Sequence, residues 1–173
     1  MIFVTSDHHF GHANIIKYCD RPFESLLEMD LAMIGRWNEV VGVDDDVWHL
    51  GDFCLGGTKW AKYYFSRLNG NVDLVPGNHD HRWLDGPRLY TMSGPVHVLP
   101  PLFETEIDGQ HIVLCHYPLA SWNRMHHGSV HFHGHTHSHP RAVYPGRVNL
   151  CVEYWDYEPL PLCEAIELAL DSR

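Results

Sequence analysis

The sequence predicts an α/β protein in which helices pack on parallel strands and a strand-rich segment follows. Three observations carry this. Residues up to about 75 read β-α-α-β-α-β. Beyond Pro95 the texture changes to short apolar runs separated by turns. Five polar runs also stand at or near the ends of apolar ones, where they can converge on one edge of a sheet. They are Asp7-His8-His9, Gly51-Asp52, Gly77-Asn78-His79-Asp80, His116 and Gly134-His135-Thr136-His137.

The elements follow in order. Ile2 to Thr5 is the opening strand, and Ala13 to Tyr18 a short helix stopped by Asp20-Arg21-Pro22-Phe23. Ser25 and Glu28 form a capping box ahead of a helix running to about Val40. Leu26, Met29, Met33 and Trp37 recur at helical spacing and mark its buried face. Asp44-Asp45-Asp46 is a polar turn into the next strand, Val47 to Leu50. Gly56-Gly57-Thr58 is a loop and N-cap for a helix from Lys59 to about Leu68, and Asn69-Gly70-Asn71 leads into the strand from Val72. The later strands are Val96 to Leu99, Leu102 to Ile107, His111 to Cys115, Val130 to His133, Ala142 to Tyr144 and Val148 to Cys151. Asp108-Gly109 makes a tight hairpin turn, and Leu162 to Leu170 is a terminal helix. Residues for one site come from both parts, so 1–173 reads as one domain, long enough to bury a sizeable core.

Composition narrows the function. The formal net charge of -10 opposes long-range attraction of a polyanion, which argues against duplex nucleic acid as a partner. Bound divalent ions would reverse that sign locally and still attract phosphate. Cys19, Cys54, Cys115, Cys151 and Cys163 are odd in number and form no CxxC pair, which fits free thiols in a reducing cytosol. No basic-then-apolar leader or membrane-length apolar run is present, so a soluble cytoplasmic protein is expected. Histidine is over-used, at 16 residues, and many cluster around His8, around His79 and from His126 to His139. Such clustering favours metal chemistry.

Asp7 and Asp52 are hard anionic ligand types, His9, His116, His135 and His137 can bind as neutral imidazoles, and Asn78 offers a carbonyl oxygen. A carboxylate can bridge two cations and hold them roughly 3.5–4 Å apart. Water between such ions becomes acidic enough to furnish hydroxide near neutral pH. His79 stands beside Asn78 as a candidate proton donor to a leaving alkoxide, with Asp80 to orient it or raise its pKa.

Taken together, these runs resemble the calcineurin-like metallophosphoesterase superfamily, whose pattern is D-x-H, G-D, G-N-H-[DE], H and G-H-x-H. The match extends from Asp7 to His137. The stretch from Ser6 to His12, with Asn14-Ile15-Ile16 and Arg21-Pro22-Phe23, looks like a small bacterial and phage branch of that family. The resemblance implies a four-layer αββα fold, two packed mixed β-sheets flanked by helices. It implies one metal on Asp7, His9, Asp52 and His137, and a second on Asp52, Asn78, His116 and His135, with Asp52 bridging. It also implies His79, paired with Asp80, as general acid.

Protein phosphatases of the superfamily carry an arginine near the G-D motif. Here the run is Gly51-Asp52-Phe53-Cys54-Leu55-Gly56-Gly57, which argues against a phosphoprotein substrate. Arg21, Arg82 and Arg124 are the candidates to bind substrate phosphate instead. His12 is open between a supporting, a substrate-facing and a helix-start role. His8 should point away from His9 and is not read as a ligand. His126, His127, His131, His133 and His139 read as loop and sheet residues near the site, with His126 or His127 within reach of substrate. Cys54 reads as a small buried apolar residue. Trp48, Trp60, Trp122 and Trp155 read as core or rim.

The expectation is a phosphoesterase using two ions drawn from Mn, Fe, Co, Ni or Zn and acting on a small phosphate ester or diester, a nucleotide among the options. The alternatives are a nuclease on short or single-stranded ends and a non-catalytic scaffold of the same fold. Oligomeric state is not readable.

Overall fold

Register decides which side chains each face of the first sheet presents. In the computed structural model, which describes residues 1–137 and 142–173, β1 (Ile2–Thr5), β2 (Asp46–His49), β3 (Asn71–Leu74) and β4 (His97–Val98) run parallel. Phe3, Val47 and Val72 align across three strands and join a core with side chains of α1 (Ala13–Tyr18), α2 (Leu26–Val40) and α3 (Thr58–Phe65). Val4 and Trp48, one residue further along, enter a second core instead, as the period of two requires.

That second core is shared with another sheet. Strands β5 (Leu102–Ile107), β6 (Gln110–Cys115), β7 (Val130–His133), β8 (Val143–Tyr144) and β9 (Arg147–Asn149) stand in the order β5-β6-β7-β9-β8. Ile112, Leu114, Val130, Phe132 and Val148 pack with Val4, Trp48, Leu50 and Val75. Both sheets are mixed: β10 (Leu160–Pro161) is antiparallel to β1, and the β5-β6 and β8-β9 pairs are antiparallel. Helix α4 (Leu162–Asp171) touches β1 and β10 of one sheet and β7, β8 and β9 of the other, closing that side. Part of the second sheet's outer face is covered by a loop, where Leu119 N donates to His131 Nε2 at 3.1 Å and Trp122 lies 5.3 Å from the His131 ring.

Local chemistry explains the elements and their limits. Ser25 Oγ accepts from Glu28 N at 3.2 Å, but the Glu28 carboxylate returns to Glu24 N at 2.8 Å, one residue earlier than a reciprocal box. Met29, Met33 and Trp37 are fully buried while Leu26 is only half-buried. Thr58 opens α3 after Gly57 as N-cap, and the helix ends at Phe65. The expected continuation to Leu68 is a turn tightened to i→i+3 bonds, Arg67 N to Tyr64 O and Leu68 N to Phe65 O. Ile107 pairs with Gln110 across Asp108 (φ 50°) and Gly109 (φ 81°), a two-residue turn with both central φ positive.

The strands expected at Val96 to Leu99, Ala142 to Tyr144 and Val148 to Cys151 shorten or shift to β4, β8 and β9. Strand β10 carried no signal, since two residues set no period and Pro161 lacks a ladder donor, which is tolerable at an edge. Among the described residues no helix is long and apolar enough to cross a membrane.

Trp37 anchors α2 by full burial and by donating Nε1 to Asn69 O at 3.0 Å. Trp37→Ala should destabilise the fold by about 3–5 kcal/mol, as large-to-small core changes do. Urea denaturation of the two proteins checks this, and a loss near that of a surface substitution would show that α2 is held elsewhere.

Candidate metal centre

The polar runs leave the carboxyl ends of β1, β2, β3, β6 and β7, and all five ends meet at one place. In open sheets of parallel strands this is where ligands bind. The backbone there is unusual. Asp7 (φ 60°), His9 (53°), Asp52 (53°), His135 (68°) and His137 (41°) are all left-handed. A non-glycine residue there costs of order 1–3 kcal/mol, and persists where its surroundings fix it, often at functional sites. Glycine is required beside them. Gly51 has φ 92°, and a Cβ on it would strike the Gly77 backbone; a Cβ on Gly134 would strike the Asp7 carboxylate.

Each carboxylate divides its oxygens. Asp7 Oδ2 accepts from Ser6 Oγ, from His135 N at 2.9 Å and from Cys151 Sγ at 3.3 Å. Asp7 Oδ1 has no hydrogen-bond partner although buried, and lies 3.7 Å from His9 Nε2 and 3.6 Å from His137 Nε2. Asp52 Oδ1 accepts from His79 N at 2.8 Å. Asp52 Oδ2 lies 3.5 Å from both His9 Nε2 and His116 Nε2. The imidazoles are aimed in the same manner. His116 Nδ1 is bonded to Leu50 O (2.7 Å) and His137 Nδ1 to Glu153 Oε1 (3.0 Å), so each presents Nε2.

Two groups share Asp52. Asp7, His9 and Asp52 gather their ligand atoms within 4.8 Å, as do Asp52, His116 and His135; two further groups at the same spacing, Asp7 with His137 and Cys151 and Cys19 with His137 and Glu153, meet at His137. His137 lies beside Asp7 in the first, and Asn78 Oδ1 is 3.1 Å from His116 Nε2 in the second. A divalent cation fits this donor set. Among the described residues the buried Asp7 Oδ1 and His9 Nε2 have no hydrogen-bond partner, an arrangement costly unless something else satisfies them.

Electrostatics agrees. Burial alone would raise the Asp7 pKa, yet His9, His116 and His137 hold it well below the usual carboxylate range. Burial would lower His137, but Cys19, Glu153 and Asp7 push it up to about 10, whereas burial lowers His12 (to about 4), His79 and His135 in the same cleft. Burial, then Asp7 and Glu153, push the Cys151 thiol well above its ordinary range, in keeping with its hydrogen bond to Asp7 Oδ2.

The other expected residues divide between the cleft and elsewhere. His79 and His12 line the cleft, with His79 Nε2 4.0 Å from Asp52 Oδ2 and His12 Nδ1 3.4 Å from His9 Nδ1. Asp80 neither orients the His79 ring nor raises its pKa, which burial lowers. Its carboxylate is fully buried and accepts from the backbone N–H groups of Asp52 (2.8 Å), Phe53 (3.0 Å) and Gly77 (2.8 Å), binding two of the loops together. Burial pushes its pKa up to about 6, against the pull of those N–H groups.

The arginine expectations are also corrected. Arg21 is buried, with its guanidinium on the carbonyls of His8 (2.7 Å) and Asp7 (2.8 Å) and on Glu153. Arg82 is exposed in the 3-10 turn Asp80–Arg82 and does not line the cleft, and Arg124 lies 3.7 Å from Glu106 on the second sheet's edge strand. Neither His126 nor His127 lines the cleft, and His139 lies outside the described residues.

His8 turns away, as expected, with Nδ1 3.0 Å from His49 Nε2. His49 Nδ1 in turn accepts from Gly51 N at 3.1 Å. Glu153, Cys151 and Ser6 went unread. Neither Glu153 nor Cys151 belongs to a motif, and Glu153 is 132 residues from Arg21, so only the folded chain brings them to the site.

Known proteins bear on this arrangement. The family model for the calcineurin-like phosphoesterase superfamily domain matches residues 1–151. An uncharacterized protein of Methanocaldococcus jannaschii is 34% identical over 175 residues, covering 96% of this chain and 90% of that protein. The gene 66 protein of Mycobacterium phage D29 is 29% identical, covering 98% and 96%. A crystal structure of a protein of unknown function from Aquifex aeolicus superimposes with a TM-score of 0.70 at 23% identity, covering 97% of this chain and 98% of that one, which speaks to the fold. With five strand ends delivering the superfamily's residue types to one cleft and its model spanning most of the sequence, the chain belongs to the calcineurin-like phosphoesterase superfamily.

Proposed function

We propose that this protein is a dinuclear metal-dependent phosphoesterase acting on small phosphomonoesters or phosphodiesters, nucleotides among them. One observation carries the reading: two incomplete groups of ligand atoms share the same atom, Asp52 Oδ2, which lies 3.5 Å from an imidazole of each. Asp7, His9, Asp52 and His137 would hold one ion and Asp52, Asn78, His116 and His135 the other. Mixed nitrogen and oxygen donors suit Mn, Fe, Co, Ni or Zn. When bound, such ions would supply Lewis-acid activation of water and neutralise charge on the phosphoryl oxygens.

The chain's own groups do the rest. Water attacks phosphorus, the bond from phosphorus to the leaving oxygen breaks, and that oxygen needs a proton. His79 Nε2 faces the cleft with its side chain 40% exposed, and its backbone is fixed by Asp52 Oδ1, so it is the group assigned to deliver that proton. Asp80 acts through the backbone, locking the Gly51-Asp52 and Gly77-Asn78 loops in one geometry. His12 remains to orient the substrate, since no arginine or lysine is among the described residues lining the cleft of about 610 Å³. Ligands from both sheets serve this one cleft, so residues 1–173 are proposed to work as one domain. Five free cysteines fit a cytoplasmic setting.

If Asp52 bridges, Asp52→Asn should weaken both ion positions, whereas His9→Ala should chiefly disturb one. Metal analysis of the purified variants checks this, and two fully occupied ions with normal turnover in Asp52→Asn would sink the bridging assignment.

His79→Ala should keep its metals and lose on the order of 10²–10⁴-fold in rate, the usual span for general acid–base catalysis. The loss should shrink on an aryl ester such as p-nitrophenyl phosphate, whose leaving group hardly needs a proton. Equal losses on alkyl and aryl esters would remove the acid role.

A net charge of -10 and a cleft without arginine or lysine among its described lining should also favour small esters and diesters over duplex DNA or phosphoproteins in kcat/KM. A panel assayed with Mn²⁺ decides this, and preferential turnover of duplex DNA or a phosphoprotein would overturn it.

A further inference from the structure

Arg21 and Glu153 form a buried charged pair behind the cleft. Glu153 lies beyond the residues matched by the family model. Arg21 Nε and Nη2 both donate to Glu153 Oε1, at 3.0 and 2.7 Å. The same guanidinium donates through Nη2 to the carbonyl of Asp7 at 2.8 Å and through Nη1 to that of His8 at 2.7 Å. Glu153 Oε1 is also 3.0 Å from His137 Nδ1. One closed circuit therefore joins the loop carrying Asp7 and His9, after β1, to the loop carrying His137, after β7. Those three side chains are the ones that, with Asp52, surround the first ion position.

The second position is supported differently. His116 Nδ1 rests on a neutral acceptor, the carbonyl of Leu50. A carboxylate behind an imidazole strengthens it as a donor more than a carbonyl does and fixes its ring, and removing such support commonly costs 10- to 100-fold in metal affinity. Arginine places two N–H donors of one rigid plane on the same oxygen, Oε1, while two others grip the backbone carbonyls, a four-point arrangement that lysine cannot reproduce. The strained left-handed residues Asp7 and His9 flank the carbonyls that Arg21 grips or adjoin them, so the same guanidinium also holds that backbone in place.

We propose that Arg21 and Glu153 are positioning residues that make the Asp7, His9 and His137 position the tighter of two unequal cation sites. This rests on the reading above that two cations bind. Neither residue touches substrate, and their effect passes through His137 and through the loop from Asp7 to His9. The arginine that the sequence offers for substrate phosphate is thereby committed to the centre's own architecture.

The test is calorimetric titration of the metal-stripped full chain with Mn²⁺. The wild type should bind in two steps of different affinity. His137→Ala and His116→Ala identify the steps, the first removing the tight one and the second the weak one. Glu153→Gln, nearly isosteric, should weaken the tight step by about 10- to 100-fold and leave the weak step unchanged. Arg21→Lys should act in the same direction, and the double variant should lose less than the sum of the two in free energy, because both act through one circuit.

Thermal melting of the metal-free proteins separates positioning from a purely structural role, which would lower stability and weaken both steps alike. An unchanged tight step in Glu153→Gln, or equal weakening of both steps, overturns the proposal while leaving the dinuclear reading intact. A wild type that binds fewer than two ions would remove that reading and this inference together. If Arg21→Lys does not fold, Glu153→Gln alone decides.

Discussion

The carboxylate of Asp7 sits where the two sheets are fastened to each other. Its Oδ2 takes a hydrogen bond from Ser6 after β1 and others from His135 and Cys151, which follow strands of the second sheet. The backbone repeats the join, with Ser6 bridging Cys151 and Val152 N donating to Ser6 O at 3.2 Å. A buried carboxylate is costly unless its oxygens are met. Here one oxygen is met by protein and the other points at the centre without a partner. A side chain at position 134 would strike that carboxylate, so glycine is required where the second sheet approaches it.

Asp52 and Asp80 extend the same logic to the first sheet. Asp52 gives Oδ1 to the backbone of His79 and presents Oδ2 between imidazoles from different strands. Asp80 gives both oxygens to the backbone of the neighbouring loops and none to the cleft. Three aspartates in similar motifs thus have three roles, set by which donors surround each. Geometry fixed by backbone N–H groups does not relax with side-chain motion, which is what a preorganised centre requires.

Charge is distributed with the same economy. The chain is acidic, yet its buried arginine is turned inward to a carboxylate and two carbonyls. In the proposed function, positive charge for binding phosphate would come from bound cations, which would tie substrate affinity to metal occupancy. The opening beside the centre is bordered by Ile15, Tyr18 and Cys19 of the α1 region, which gives one wall an apolar and aromatic character.

Local pattern was enough for much of this. Met29, Met33 and Trp37 recur at helical spacing, so α2 and its buried face could be read directly, and the apolar run of β1 and the Asp108-Gly109 turn depend on adjacent residues alone. The polar runs at strand ends were legible for the same reason: a strand fixes where its terminal residues emerge, so those residue types were bound to meet once the strands lay parallel.

What the sequence left open depends on distance along the chain. Asp80 and Asp52 are 28 residues apart, and no spacing tells whether the Asp80 carboxylate faces a neighbouring ring or a remote amide. Arg21 and Glu153 find each other across 132 residues, and β10 exists only because β1 offers it an edge. Residue type and local periodicity determined the elements and the chemistry available to them. Tertiary packing alone decided which donors surround each carboxylate, because a hydrogen bond is satisfied by whatever lies within about 3 Å, near or far in sequence.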